Sequence, residues 1–270
     1  MSRPYLLPAL ALTTVANLLP LVAQEWAVQE LSRSPRHHEW VDLPAGERSL
    51  RTFVVFPEVN HPVPAVIVIH ENRGLSDWVR LVADRLAAEG YIAAAPDLLS
   101  GRGPGGGGTS AFPTSDAARE AIYNLDPNRV QADLETVRRY LLTLPACNGT
   151  VAVAGFCWGG SQTFRWATSG APVAAAFVFY GSGPAEAKEM SNLKCSVYGF
   201  YGENDARINA GIPATEVAAK AAGKSFEPVI YPGVGHAFMR RGDEPGADAA
   251  AKSARDAAWQ RWIELLRRLP

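Results

Sequence analysis

Six short runs, residues 65–70, 91–95, 150–155, 173–180, 195–202 and 226–231, are rich in Val, Ile, Ala and aromatic residues and are apolar on both faces. Strands that show no alternation between apolar and polar positions are buried on both sides, which is the condition of strands in a parallel sheet. The stretches between them have helical period instead. Asp126-Pro127 is a helix start, with the carboxylate as N-cap and proline at the first position, and Val130, Leu134, Val137, Leu141 and Leu144 then recur at three and four residues. Trp78, Leu81, Val82 and Leu86 mark a second helix closed by Gly90. Residues 248–266 form a third, with Trp259, Trp262 and Leu266 on its apolar side. Residues 40–43 and 51–56 read as an antiparallel lead-in pair. Such alternation predicts an α/β fold: one mostly parallel, doubly wound sheet with helices on both faces.

Composition closes off other classes. With 270 residues, 47% hydrophobic and 20% charged, the chain has ample material for one large core. A balance of 26 basic against 27 acidic residues carries no footprint for nucleic acid. Three cysteines are too few for a disulfide scaffold. The segment 101–108 is glycine-rich, but Thr109-Ser110 follow it without the lysine that a phosphate loop needs, so it reads as a mobile loop.

The first residues differ from the rest. Arg3 precedes an apolar stretch from Tyr5 to Ala23, with small residues at Thr14-Val15-Ala16 and Leu21-Val22-Ala23, and charge begins at Glu25. This layout predicts a secretory signal over residues 1–23, hence a periplasmic or secreted protein with no membrane association after its removal. The competing reading is an N-terminal helix packed on the body and a cytoplasmic protein. Residues 24–50 form a lead-in segment, and 51–270 the main domain.

In doubly wound sheets ligands sit beyond the carboxyl ends of the strands, and that rule selects Glu71, Asp97, Cys157, Asp205 and His236. Gly155-Phe156-Cys157-Trp158-Gly159-Gly160 follows an apolar strand and has the Gly-x-nucleophile-x-Gly pattern of a nucleophile elbow, with cysteine for serine. The helix starting near Trp158 aims free N–H groups at the thiol, which predicts a lowered thiol pKa. A nucleophile needs a base, and the base needs an orienting group. His236 follows the last strand, and Asp205 follows residues 200–204 at the end of another. Glu203 is the rival acid. Asp97 reads as a structural carboxylate holding the turn into the glycine loop, and His70 as a supporting residue.

Taken together, His70-Glu71 with Gly74, Ala95-Pro96-Asp97-Leu98, the cysteine elbow, Gly202-Glu203-Asn204-Asp205 and Gly235-His236-Ala237-Phe238 resemble the dienelactone hydrolases (carboxymethylenebutenolidases) of the α/β-hydrolase superfamily. The resemblance covers about residues 51–266. It implies a single-domain α/β-hydrolase fold and hydrolysis of an ester or lactone without metal or cofactor. Cys157, Asp205 and His236 match the triad, and Glu71 the glutamate that helps hold the thiolate when substrate binds. The oxyanion hole falls to the backbone N–H groups of Trp158 and Asn72. Arg119 and Arg240 match the arginines that receive a substrate carboxylate, Tyr123 would line the same pocket, and Arg73 adds a third cation. Asn72-Arg73 stand where better-known members carry an apolar pair, and Ala237 where they carry serine. The expected partner is a small-molecule ester or lactone, with a monomer as the working expectation. A broad carboxylesterase or thioesterase for neutral esters, and a binding protein without turnover, are the alternatives.

Overall fold

In a computed structural model the described residues are 24–270, so the expected signal at 1–23 lies outside them. The strands are β1 (His38–Ala45), β2 (Arg48–Val55), β3 (Val63–Ile69), β4 (Ile92–Pro96), β5 (Cys147–Phe156), β6 (Ala175–Phe179), β7 (Ser196–Gly202) and β8 (Phe226–Tyr231). The helices are α1 (Glu25–Ser32), α2 (Asp77–Ala88), α3 (Ser115–Tyr123), α4 (Pro127–Thr143), α5 (Trp158–Thr168), α6 (Ala187–Met190), α7 (Ala206–Asn209), α8 (Ile212–Ala221), α9 (Phe238–Asp243) and α10 (Ala249–Leu266).

All eight strands join one sheet in the order β1-β2-β4-β3-β5-β6-β7-β8. β1, β2 and β4 pair antiparallel, and every pair from β4 to β8 is parallel. The lead-in strand β1 is therefore part of the same sheet as the rest. Side chains alternate between faces along a strand, and here both faces are apolar. On one side Val66, Val68, Ala152, Ala154, Phe156, Phe177 and Phe179 meet Trp78 of α2 and Trp262 of α10. On the other, Ala65, Ile67, Ile69, Val151, Val153, Ala176 and Val178 meet α4, α5 and α8. A strand sandwiched between two helical layers has no polar face to write into its sequence, which is why the six runs read as continuous.

The helix signals are realised at their caps. Asp126 accepts the Asn128 N–H ahead of Pro127, and Asp248 accepts that of Ala251 at the start of α10. Asp97 holds its turn as expected, taking the N–H groups of Leu99 and Thr109 and the Thr109 hydroxyl. Those bonds to Thr109 tie the far end of the glycine segment to the end of β4.

The order places β3 at the point where the chain reverses its direction of winding, with β4 on one side and β5 on the other. Ligand crevices form outside the carboxyl ends of the strands at such a switch. Glu71 follows β3 and Cys157 follows β5, so the fold sets them side by side.

Candidate active site

The turn from β5 to α5 leaves Cys157 at φ 57°, ψ −116°, a conformation that side-chain-bearing residues rarely adopt. The crowding that accompanies it explains the flanking glycines. A Cβ on Gly155 would strike the backbone of Gly159, and one on Gly159 would strike the carbonyls of Ile69 and His70. The Cys157 N–H donates to Phe179 O at 3.0 Å, fixing the elbow to β6. The other positive-φ residues that are not glycine, among those described, are Tyr180 and Ala237. Both lie at the same site, Tyr180 stacked edge-on against His236 and Ala237 next to it in the chain. Strain of this kind persists where surrounding structure enforces it, commonly at functional sites.

His236 sits on the loop between β8 and α9. Its Nδ1–H donates to Asp205 Oδ2 at 2.5 Å, and its Nε2 faces Cys157 Sγ at 3.1 Å. With Nδ1 committed as donor, Nε2 is left as the acceptor for the thiol proton. Asp205 is buried, with the side chain only 6% exposed. Glu203, the alternative acid, is turned away, and its Oε2 accepts the Gly233 N–H at 2.8 Å to brace the histidine loop.

Glu71 is bound by Arg240, Nε to Oε2 at 2.9 Å, while Arg240 Nη1 also donates to Glu244 at 2.6 Å. His70 is fully buried, stacked on Trp158, and joined through Nδ1–H to the Glu71 carbonyl at 2.8 Å. Its Nε2 accepts the Leu98 N–H, and burial pushes its pKa down, so it is neutral. It thus props the residues on either side of the thiol.

The backbone N–H groups of Trp158 and Asn72 both point at the sulfur, where an oxyanion bound next to it would lie. Their pull on the thiol loses, however, to two opposing effects. Burial and then the Glu71 charge push the Cys157 thiol up to about 11, with Trp158, Arg207 and Asn72 acting in the other direction. The expectation of a lowered pKa is therefore corrected: a helix terminus cannot offset desolvation with a carboxylate alongside. The resting site holds a neutral thiol.

A cavity of about 320 Å³ opens over the thiol. Cys157, Trp158, Tyr123 and His236 line it, and Asn72 Nδ2 donates to the Tyr123 hydroxyl at 3.2 Å. Of the arginines expected to receive a carboxylate, Arg240 is occupied by Glu71 and Glu244, and Arg119 and Arg73 are exposed outside the cavity wall, Arg119 lying over the Tyr123 ring. The wall carries Arg165 and Arg207 in their place, with Ser161, Gln162 and Ser182. Sequence reasoning missed these. Ser161 and Arg165 were findable, since they stand four and eight residues beyond Cys157 and so share one face of α5. A wider hollow of about 630 Å³ over the exposed loop 57–61 reaches none of these residues.

Several known proteins are similar to this chain. The model of the dienelactone hydrolase family matches residues 50–269. A Salmonella typhimurium relative is 32% identical over 212 residues, 75% of this chain and 76% of its own. The carboxymethylenebutenolidase of Pseudomonas putida is 28% identical over 204 residues, covering 72% of this chain and 83% of that protein. A solved structure from Klebsiella pneumoniae superposes with a TM-score of 0.75 at 25% identity, over 86% of this chain and 99% of the other. The dienelactone hydrolase of Anabaena variabilis superposes at 0.61 with 21% identity, over 85% and 98%, a likeness of fold.

Proposed function

The chain belongs to the dienelactone hydrolase family, and from that premise we propose that it hydrolyses small-molecule esters or lactones through a thioester on Cys157. The observation that carries the proposal is the unbroken line from Asp205 Oδ2 through His236 to Cys157 Sγ, with links of 2.5 and 3.1 Å. In the resting state His236 Nε2 accepts the S–H hydrogen bond. As sulfur attacks the ester carbonyl carbon, the proton passes to Nε2, and Asp205 stabilises the imidazolium. The carbonyl oxygen gains negative charge and is met by the N–H groups of Trp158 and Asn72. Collapse breaks the C–O bond, and the imidazolium protonates the departing oxygen. Water, deprotonated by His236, then attacks the thioester carbon. The C–S bond breaks, the acid leaves, and the proton returns to sulfur.

Glu71 has a defined place in this scheme. Held by Arg240, it keeps the resting thiol protonated, so that the nucleophile is spared from reaction with electrophiles until a carbonyl is in place. The cavity of about 320 Å³ suits a small ester and not a polymer.

The test is Cys157→Ala. Loss of a triad member costs several orders of magnitude in turnover, so p-nitrophenyl acetate hydrolysis should fall to background while circular dichroism stays that of the wild type. Intact mass of quenched wild-type protein should show one acyl adduct, mapping to Cys157. Retention of more than about a tenth of wild-type kcat would refute the assignment.

A further inference from the structure

Three arginines and one aspartate meet beside the start of the glycine segment, outside the cavity over the thiol. Arg48 opens β2, and the antiparallel pairing of β2 with β4 carries it past the end of β4. There the Asp97 N–H donates to Arg51 O at 2.8 Å, and the Arg51 N–H donates to Ser100 Oγ at 3.0 Å. Gly101 lies against the Arg48 stem at φ 73°, so close that a Cβ there would come within 3.1 Å of Arg48 Cδ. Arg102 follows it in the chain. On the other flank Arg48 Nη2 donates to Asp133 of α4. Arg129 stands one turn before Asp133 on the same face of that helix. Three separate segments therefore bring guanidinium groups to one carboxylate.

The charges do not close. The Arg48 side chain is 10% exposed, and its Nε and Nη1 are buried without a partner. Arg102 and Arg129 form no ion pair among the described residues, and the carboxylate whose field both of them meet is Asp133. Glu135, the next carboxylate along α4, is held by Arg138 and Arg139. Burial pushes the Arg48 pKa down, Asp133 opposes it, and the charges of Arg129 and Arg102 push it down further. Three positive charges against one negative leave a surplus of two. Arg129 adds to that surplus in the first turn of α4, where the helix dipole already disfavours a cation. Buried guanidinium nitrogens are ordinarily hydrogen-bonded and their charge matched, and an anion supplies both.

We infer that Arg48, Arg102 and Arg129 form a binding site for a phosphate group, as the free ion or as the head of a phosphomonoester. A phosphate dianion matches the surplus charge, and guanidinium forks bind its oxygens through paired hydrogen bonds. Arg102 is exposed and Arg129 half-buried, so these two make the contacts that solvent can reach. Arg48 is the buried charge behind them, held in place by Asp133. The segment 101–108 lacks the lysine of a phosphate loop, and here the cations come from β2, from its own Arg102 and from α4. None of these residues lines the cavity over the thiol, so the site is independent of the ester reading. A bound phosphate joins the glycine segment to α4 and stabilises the native state by mass action.

The experiment titrates the protein with inorganic phosphate and, separately, with phenyl phosphate, by calorimetry at fixed ionic strength, with thermal unfolding read alongside. Saturable binding and a raised unfolding midpoint are expected. Arg102→Gln and Arg129→Gln should each weaken binding about tenfold, the scale of one hydrogen bond to a charged group. Arg139→Gln removes the same charge from α4 at an exposed residue paired with Glu135, and should change binding less than about threefold. Arg48 is left in place, because its loss strands the buried Asp133 carboxylate and endangers the fold. The midpoints of the tested variants without phosphate show that they fold. Tighter binding of inorganic phosphate marks a site for the free ion, and tighter binding of phenyl phosphate marks one for an ester's head group. If neither probe binds saturably, the inference is overturned. It is overturned too if Arg139→Gln weakens binding as much as the other two, since that is the response to net charge alone. Binding that is unchanged in Arg102→Gln and Arg129→Gln but lost in Arg165→Gln also overturns it, because the anion then sits over the thiol.

Discussion

Replacing Glu71 with glutamine isolates the charge that sets the resting state of the nucleophile. With the Cys157 thiol at about 11, about one molecule in a thousand carries a thiolate at pH 8. A full charge in the immediate shell of a titrating group moves its pKa by about one to three units. Glu71 ranks behind burial as a cause, so the lower end applies. Removing it should bring the thiol down by about one unit and raise the thiolate population about tenfold. The release of Arg240 acts in the same direction, because its guanidinium is no longer cancelled by the carboxylate 2.9 Å away. Since the thiolate is the species that alkylates, iodoacetamide labelling of Cys157 at pH 8, read by peptide mass mapping, should run about tenfold faster in Glu71→Gln. Its pH profile should shift to lower pH while remaining above that of an exposed thiol, because burial is unchanged. The two effects on function separate here: labelling accelerates, and ester turnover does not rise with it, since the variant lacks the carboxylate that the resting site was built around. Labelling that is unchanged or slower in the variant, or a wild-type profile with its midpoint at 9 or below, would refute the account. A consequence for stability has a definite sign. The native thiol holds its proton to higher pH than the unfolded one, so the unfolded chain deprotonates first and the native state loses stability as pH climbs from about 9 to about 11.

The Asp243 side chain is 4% exposed and takes Trp78 Nε1–H at 2.7 Å and guanidinium groups of Arg85 at 2.6 Å and Arg255 at 3.2 Å, so Asp243→Ala should destabilise by about 2–3 kcal/mol, the scale of lost hydrogen bonds to a charged group, read as a lowered midpoint in denaturant. Gly159→Ala forces a Cβ into the carbonyls that end β3 and should abolish soluble, active protein, whereas Gly246→Ala, with open space around it, should be silent in the same expression and circular dichroism assays. If residues 1–23 direct export, the mature protein recovered from a bacterial host should be periplasmic, with an N-terminus after Ala16 or Ala23 by mass spectrometry, and full-length cytoplasmic protein would refute it. The three cysteines stand as free thiols, with Cys147 on β5 and Cys195 ahead of β7, separated by the intervening strand β6, so denatured unreduced protein should titrate three thiols, and one would refute this reading.

What could be read in advance follows physical rules that act locally. A strand buried on both faces must be apolar throughout, so the runs near 65–70 and 150–155 declared themselves, as did the caps at Asp126 and Asp248, whose side chains bond within two or three residues of themselves. The elbow was legible because glycine is demanded by crowding that is itself local to the turn, and the positions of Asp205 and His236 because strand ends in such a sheet converge. The antiparallel lead-in pair was legible in outline, but its attachment to β4 was not, since nothing in residues 40–56 specifies which edge of the sheet they join.

The charge arrangement was beyond a sequence reading, for a reason that bears on the chemistry. Whether an arginine is a ligand site or a structural partner depends on which carboxylates the fold puts within reach, and those come from distant segments. Arg240 meets Glu71 from 169 residues away and Glu244 from the residue that ends its own helix. The same meeting decides the state of the thiol. With Glu71 anchored by Arg240 and set against a buried sulfur, the helix N-terminus that would have acidified Cys157 is outweighed. An elbow cysteine thus looks acidified in sequence, while in the structure its thiol is pushed up instead. In the proposed mechanism that state has a use: the proton leaves sulfur toward His236 only as an electrophilic carbon takes up the electron pair and the N–H groups of Trp158 and Asn72 take up the charge. In that scheme the selection of substrate precedes the activation of the nucleophile.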